Sequence, residues 1–433
     1  MRPLSSRLPG VAVLATCAVL LASCAGNTPG NTPGNGARSQ EPRKGLGDVQ
    51  ATELGFTRHA GAVQWPASSD WIPPGDGLRM LVPAGDCALG LGDYQNGYRA
   101  VNANWTGPAA CDRLALDPAP DGRTGGGDGP PDTTNGWPGG GIAADAAVVE
   151  RDGSILVAHS SGLERHRPGG KAEELVRSDF SEPGFEGQGS RSSVRGLAVT
   201  GRGTIVLNVG RATPGRTAPV LLVSEDRGRT LRPVSLPEWT AGSEPEPNIS
   251  VLGAAGETIV ALGSAARRAA VWRSTDSGRT WKVSTVEGLP QSLLMTRLVR
   301  AGERWLAFGG VDHETGEQDD TLVLSSKDGL DWAPGVSTGM GVGRLQDVTV
   351  GRDGTLVAIG SIDDATRPAP DQRNEYCGVV WVGDGDKPWK RGELGCGDSP
   401  PQAVTTLRDG RVLIGGNRDL WLRAADARGA SGG

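Results

Sequence analysis

The sequence predicts an all-β fold, a single β-propeller of seven blades, or of six if a less regular first unit is set aside. Three observations carry this. A short apolar strand led by a Gly-centred turn recurs down the chain. No segment after the first 23 residues sustains a helical apolar period. And 68 Gly and 30 Pro punctuate the 433 residues. The recurring unit reads Asp152-Gly-Ser-Ile-Leu-Val-Ala158, Gly203-Thr-Ile-Val-Leu207, Gly256-Glu-Thr-Ile-Val-Ala-Leu-Gly263, Gly302-Glu-Arg-Trp-Leu-Ala-Phe-Gly309, Asp353-Gly-Thr-Leu-Val-Ala-Ile-Gly360 and Asp409-Gly-Arg-Val-Leu-Ile-Gly415. Its first apolar residues fall at 155, 205, 259, 305, 356 and 412, spaced by 50, 54, 46, 51 and 56 residues. A strand-rich repeat near 51 residues has the period of propeller blades. A seventh unit is expected ahead of these six, where Asp76-Gly77-Leu-Arg-Met-Leu-Val82 resembles the strand motif. The Pro/Gly-rich stretch 118–141 then reads as an insertion between blades. After Asp419-Leu-Trp-Leu-Arg423 the last blade lacks one strand, so closure is expected to borrow an outer strand from Phe56–Trp65.

A second motif follows these strands in the middle units. Ser274-Thr-Asp276-Ser-Gly278-Arg-Thr280-Trp281 is its fullest form, and Ser224-Glu-Asp226-Arg-Gly228-Arg-Thr230-Leu231 differs only in ending on Leu. Ser326-Lys-Asp328-Gly329-Leu-Asp-Trp332 is one residue shorter, and Gly383-Asp-Gly-Asp386-Lys-Pro-Trp389 is degenerate. These residues resemble the Asp-box, or bacterial neuraminidase, repeat of the sialidase-like propellers. That resemblance implies a hairpin between the third and fourth strands of each blade. The chemistry suits such a turn: Ser and Asp accept hydrogen bonds from turn amides, Gly supplies positive φ, and Trp packs over the turn. It also explains part of a Trp bias, 12 Trp against 4 Phe and 3 Tyr.

Residues 1–23 read as an export signal, with Arg2 and Arg7 ahead of the apolar core Val11 to Ala22. That core is too short for a bilayer, which needs roughly 20 residues. It ends at Leu21-Ala22-Ser23-Cys24, which resembles the lipobox of bacterial lipoproteins. By that resemblance Cys24 takes a diacylglyceryl thioether and holds the protein at the outer side of the cytoplasmic membrane. Residues 24–45, with the repeated Asn27-Thr-Pro-Gly30 and Asn31-Thr-Pro-Gly34, have little to bury and read as a flexible tether. A random coil of that length spans roughly 25 Å. The propeller is expected over 46–425 and a disordered tail over 426–433.

Four further cysteines remain in an exported context, Cys87, Cys111, Cys377 and Cys396, and an even count there favours disulfides. Three pairings are open, of which the local ones, Cys87–Cys111 and Cys377–Cys396, are expected because each pair brackets a similar strand, turn and Trp pattern. No CxxC spacing supports zinc, and no metal site or cofactor is assigned.

A net charge of −6 speaks against nucleic acid, which calls for a basic footprint. The Arg-rich basic set (38 Arg, 6 Lys) reads as a coding bias rather than as arginine-specific contacts. Resemblance to sialidases implies a Tyr nucleophile activated by Glu, an Asp acid/base and three Arg around a carboxylate. The early Arg-Ile-Pro signature of that family is absent. Of the three Tyr, Tyr94 and Tyr98 fall in the first unit, and Tyr376 follows Glu375 directly, which puts the two on opposite faces of a strand. The run Asp312–Asp320 lacks an EF-hand spacing and reads as a solvated loop. No catalytic residue is assigned. The expected function is a non-catalytic binding or scaffold module for a glycan, cell-wall polymer or protein, with a sialidase-like or other glycoside hydrolase as the alternative.

Overall fold

Consecutive apolar residues in the repeated strands follow from a position buried on both sides. In one such strand Leu356 and Ala358 pack with Leu306 and Phe308 of the preceding blade, while Val357 and Ile359 pack with Val412 and Ile414 of the next. All four are 0 % exposed, so neither alternate face has a use for polar residues. Seven such apolar clusters fill the seams between blades.

The computed structural model describes residues 49–65, 77–96, 99–117, 141–168, 170–177, 194–213, 216–237, 248–265, 268–286, 289, 293–311, 320–363, 376–397 and 400–425. The expected signal, Cys24, the tether, the tail and the insertion apart from Gly141 lie outside the described residues, as do residues 312–319, Tyr98 and Glu375. The described chain forms a seven-bladed propeller of antiparallel sheets. The inner strands are Gly77–Ala84, Ala146–Val149, Val194–Val199, Asn248–Ala255, Leu293–Ala301, Arg344–Val350 and Ala403–Thr406 in blades 1 to 7. Each contacts the inner strand of the next blade, and the seventh contacts the first, which closes the ring.

The repeated motif is the second strand of each of blades 2 to 7. Blade 1 exists, but not in the expected phase. Gly77–Ala84 is its inner strand, and its second strand is Cys87–Asn96 behind the Gly85-Asp86 turn. The motif is hard to see there because Gly90 and Gly92 replace branched residues. A Cβ at Gly92 would stand 1.9 Å from the Gly77 carbonyl oxygen.

Closure does use the N-terminal segment, over a longer path than expected. Phe56–His59 pairs antiparallel with Leu420–Arg423 as the outer strand of blade 7. Before it, Val49–Gln50 adds a parallel fifth strand to blade 6. After it, Val63 bridges to Leu114 of blade 1. Seventeen residues thus cross three blades.

The Trp bias has a second source. Trp105, Trp272 and Trp381, all fully buried, and Trp421 occupy one equivalent position on the third strand, opposite Gly90, Ala261, Ala358 and Ile414. A buried indole needs an acceptor. Trp105 donates to the Gln64 carbonyl and Trp381 to that of Met340, both at 2.8 Å.

Both local disulfides form, but they are not equivalent. Cys87–Cys111 ties the second strand of blade 1 to its third-to-fourth turn, whereas Cys377–Cys396 joins directly paired residues of the third and fourth strands of blade 6. The first pair lies at the end of the propeller where those turns lie, the second at the opposite end.

Candidate functional site

Two sets of side chains stand at opposite ends of the propeller: the third-to-fourth hairpins at one face, and the mouth of the axial channel, where the inner strands begin, at the other.

In each hairpin the Ser and Asp side chains fold the turn. Ser274 Oγ accepts from the Gly278 amide at 2.8 Å and donates to Asp276 Oδ1 at 2.7 Å. Asp276 also accepts the amide and hydroxyl of Thr280, and Trp281 donates to the Gly278 carbonyl at 3.1 Å. Ser224, Asp226, Gly228 and Thr230 repeat this pattern. Ser326 and Asp328 hold Gly329, Leu330 and Asp331 in the same manner. In the degenerate hairpin the accepting carboxylate is Asp384, which takes the amides of Asp386 and Lys387. The glycines sit at positive φ, +95° at Gly228 and +85° at Gly278, where a side chain would be strained.

These donors hold the carboxylates ionised. Asp226 lies at about 2, lowered mainly by the Thr230 hydroxyl and amide, then by Ser224. Burial pulls Asp276 upward, but donation from Thr280, Ser274 and the Arg279 amide brings it to about 2. Asp384 is also at about 2, chiefly through the Asp386 amide and the Lys387 ammonium. These carboxylates are thus engaged by donors of their own turns, and Asp328 Oδ2 also by Arg273 of the preceding blade.

Arginines from neighbouring blades add a second layer. Arg273 of blade 4 donates to the Asp328 carbonyl, Arg304 of blade 5 to that of Asp384, and Arg165 of blade 2 to that of Arg227. Arg411 of blade 7 captures the carbonyls of Ala110, Ala109 and Asp86 beside the Cys87–Cys111 disulfide. A guanidinium fork can serve several acceptors at once and an ammonium cannot do so in a plane. The arginine bias therefore does include arginine-specific contacts, contrary to the reading from composition.

At the other face, five inner strands carry a one-residue register shift, leaving Arg79, Arg195, Ser250, Thr296 and Gln346 as the extra residue. A bulge leaves its extra residue unpaired and re-aims the side chain. In blades 2 and 7 the same position is held by Asp145 and Gln402, whose amides donate to the carbonyls of Ala158 and Gly415. Seven polar residues, one per blade, therefore share one level of the ring. Each follows a buried residue: Leu78, Ala144, Val194, Ile249, Met295, Leu345 or Pro401.

A cavity of about 440 Å³ lies along the axis, lined by inner strands of blades 1 to 6. Arg79, Asp145, Arg195, Ser250 and Thr296 line it, with Arg297 and Asp347 one position further in. Leu81, Leu197, Leu252 and Leu298 add apolar wall. Such a volume suits a small polar ligand or the end of a larger one.

Three arginines, Arg79, Arg195 and Arg297, line the channel, and two of them pair with a carboxylate of this chain. Arg79 pairs with Asp93 at 3.0 Å and Arg297 Nε with Asp347 at 2.5 Å. Asp347 raises the Arg297 pKa against the opposing effect of burial. Asp347 also accepts the amides of Val348 at 2.7 Å and Val404 at 3.0 Å, so it joins blades 5, 6 and 7. Tyr94 packs beside Ala62 and Val63 in the seam between blades 7 and 1, and Tyr376 opens the third strand of blade 6. Among the described lining residues there is no Tyr, Glu or His. Among the described residues no three His, Cys, Asp or Glu side chains group as metal ligands would, and no helix is long and apolar enough to cross a membrane.

The bulge positions escaped the sequence reading because one inserted residue breaks the period-two pattern. The signal was nevertheless there. An apolar–polar–any–aliphatic string, as in Val194-Arg-Gly-Leu197, Ile249-Ser-Val-Leu252 and Met295-Thr-Arg-Leu298, recurs in step with the blade repeat.

No family model matches the chain, and no curated protein matches it. Among solved structures the fold is similar to the extracellular domain of a protein named as a hybrid two component system from B. thetaiotaomicron, with a TM-score of 0.52 and 9 % identity over 87 % of this chain. The chain spans 42 % of that extracellular-domain chain. A second structure of that domain gives a TM-score of 0.50 at 10 % identity, over 83 % of this chain and 40 % of the other. Catalytically inactive virginiamycin B lyase from Staphylococcus aureus with quinupristin also gives 0.50, at 10 % identity over 85 % of this chain and 99 % of the lyase. At these identities the likeness is one of fold, and the chain is an all-β, seven-bladed propeller.

Proposed function

We propose that the chain is an exported lipoprotein whose propeller is a non-catalytic binding or scaffold module, engaging a glycan, cell-wall polymer or protein at the channel mouth. In this reading residues 1–23 are removed, Cys24 carries the lipid, and residues 24–45 tether the propeller outside the membrane. The observation that carries the binding role is the ring of seven polar residues, one per blade, at the mouth of a cavity with both polar and apolar walls. Its charges favour holding over chemistry. Asp347, the carboxylate deepest in the wall, already accepts three donors, so it is poorly placed to move a proton. The hydrogen-bonded Ser-x-Asp turns support reading the hairpins as Asp-boxes, which serve the scaffold.

Two measurements test this. The chain without residues 1–45 is presented to a panel of cell-wall polymers and glycans, with binding and turnover both read. We expect binding of at least one polymer, weakened tenfold or more by Arg195→Gln with Ser250→Ala. Turnover of a fluorogenic sialoside, or release of reducing ends from any polymer, would sink the non-catalytic reading and favour a glycoside hydrolase. In cells, Cys24→Ala should release the protein from membranes, and unchanged membrane retention would refute lipidation.

A further inference from the structure

The two disulfides sit in opposite environments. Cys87 and Cys111 are 2 % and 0 % exposed. The Gly107 backbone lies so close to the Cys87 sulfur that a Cβ there would stand 2.7 Å from it, and both cysteines share one core cluster with Leu114. The turn that carries Cys111 is further held by Arg411 from blade 7. An incoming thiolate has no approach to either sulfur without opening the seam between blades 7 and 1.

Cys377–Cys396 is open to solvent. Cys396 is exposed and Cys377 partly so. On its own strand Cys396 is flanked by Gly395 and Gly397. The two cysteines are directly opposed in the antiparallel ladder between Tyr376–Gly383 and Lys390–Gly397. Five further pairs, from Gly378–Gly395 to Val382–Lys390, lie on the inward side of the disulfide. Those pairs keep the strands together whether or not the sulfurs are joined, and Trp381 and Val380, both 0 % exposed, anchor them in the core.

We propose that Cys377–Cys396 is a thiol–disulfide exchange site on the channel-mouth face, reversibly opened by a dithiol reductant such as a thioredoxin-like protein, while Cys87–Cys111 stays oxidised. The exchange runs through attack of a thiolate on the exposed Cys396 sulfur. A mixed disulfide forms, the Cys377–Cys396 bond breaks, and Cys377 leaves as a thiolate that takes up a proton. The second thiol of the reductant then attacks the mixed disulfide, releasing Cys396 as a thiol and the reductant as its own disulfide. Two electrons and two protons pass from the dithiol to the protein. Rates of such exchange depend on which sulfur can be reached as well as on thiol pKa, so access alone separates the two pairs. The released end of the hairpin in blade 6 lies at the same face as the polar ring.

The oxidised full-length protein in detergent tests this. It is equilibrated with increasing dithiothreitol, then with reduced thioredoxin, and trapped with an alkylating agent before peptide mass spectrometry. Cys377 and Cys396 should become labelled at a dithiothreitol concentration at least tenfold below that needed for Cys87 and Cys111. Near-ultraviolet circular dichroism from the buried tryptophans should be unchanged at that point. Release of both pairs together, earlier release of Cys87–Cys111, or release of Cys377–Cys396 only with loss of the tryptophan signal would overturn the proposal. A second arm uses Cys377→Ser, which frees the Cys396 thiol, read by mass spectrometry on its own peptide apart from those of Cys17 and Cys24. That variant should accept one glutathione from oxidised glutathione while still folded, and a folded variant that stays unmodified would count equally against the site.

Discussion

At the hairpin face, buried turn amides such as those of Gly228 and Gly278 are satisfied by Ser side chains four residues away, and arginines from neighbouring blades cap the same turns. At the mouth face, the bulge residues Arg79 and Arg195 are exposed and Ser250, Thr296 and Gln346 partly so, and their backbone contributes no ladder pair at the shift. One end of each blade thus uses its polar side chains to fold its own turn, and the other re-aims polar side chains towards the channel. The difference teaches where substitutions should be felt as lost stability and where as lost binding.

The largest contrast is expected at blade 1, where a buried disulfide stands in the place of the Ser-x-Asp turn. Cys111 has φ of +58°, close to the +63° of Arg227 and Ser277 in the corresponding turns of blades 3 and 4. Replacing Cys87 and Cys111 by Ser should cost about 2–5 kcal/mol, the usual loss for a native disulfide. Denaturant midpoints would read this, and a loss no larger than that of the Cys377→Ser/Cys396→Ser pair would erase the contrast between the faces.

Asp347 is the exception that sharpens the comparison, since it lies at the mouth yet is 6 % exposed and joins three blades. Asp347→Ala leaves the Val404 and Val348 amides without an acceptor and Arg297 without its partner. Breaking a buried pair costs more, but the Arg297 side chain is 46 % exposed, so water compensates it in part. A destabilisation of about 2 kcal/mol follows, mostly from the orphaned amides. A thermal melt indistinguishable from the parent would remove Asp347 from the ring's supports.

Next in size is Ser274→Ala, which strips the buried Gly278 amide of its acceptor and should cost about 1–2 kcal/mol. Ser250→Ala, at a partly exposed position on the other face, should stay within about 0.5 kcal/mol of the parent. Equal losses at the two sites would break the comparison.

Acid titration should find the hairpin carboxylates, together with Glu164 of blade 2, which His159 and His166 hold well below the usual carboxylate range. Asp226, Asp276 and Asp384 are held at about 2 in the folded chain, below the unfolded value near 3.9. Their folded pKa values are depressed, so the stability they supply is present above about pH 4 and is lost as pH falls toward 2. Asp226→Asn with Asp276→Asn should flatten the pH dependence of stability in that window. Arg195→Gln should leave it unchanged. The measurement is the denaturation midpoint from pH 5 to 2, and an unaltered slope in the double variant would contradict the assignment.

Much of this asymmetry was legible from the sequence at one face and illegible at the other. Hairpin residues are local: Ser274, Asp276, Gly278 and Thr280 act on one another within seven residues, so a linear motif contains the whole interaction. The second strands were legible because burial on both faces demands an unbroken apolar run. Blade 1 was displaced by one strand because Gly90 and Gly92 interrupt that run where Leu78 and the Gly77 carbonyl press close. The outer strand Phe56–His59 could be inferred from a missing partner at the end of the chain, whereas Val49–Gln50 could not, since two residues carry no period. The mouth ring was hidden for a different reason. Its members are related by a bulge, a backbone property, and share no residue type.

Phe56 and Arg423 are register partners across almost the whole described chain. The strand that completes blade 7 therefore emerges ahead of the antiparallel strands of blades 1 to 6 during N-to-C synthesis or translocation and must wait for its mate at Leu420–Arg423. Until then Phe56, 1 % exposed in the finished molecule, has no surface to cover it. Pairings this remote in sequence come late and slowly, because the loop they close must first lose its freedom. The ring can consequently not be completed piecemeal as the chain appears. Nascent intermediates lacking residues 420–423 should carry an open sheet edge in blade 7 and be the forms most in need of a holding chaperone.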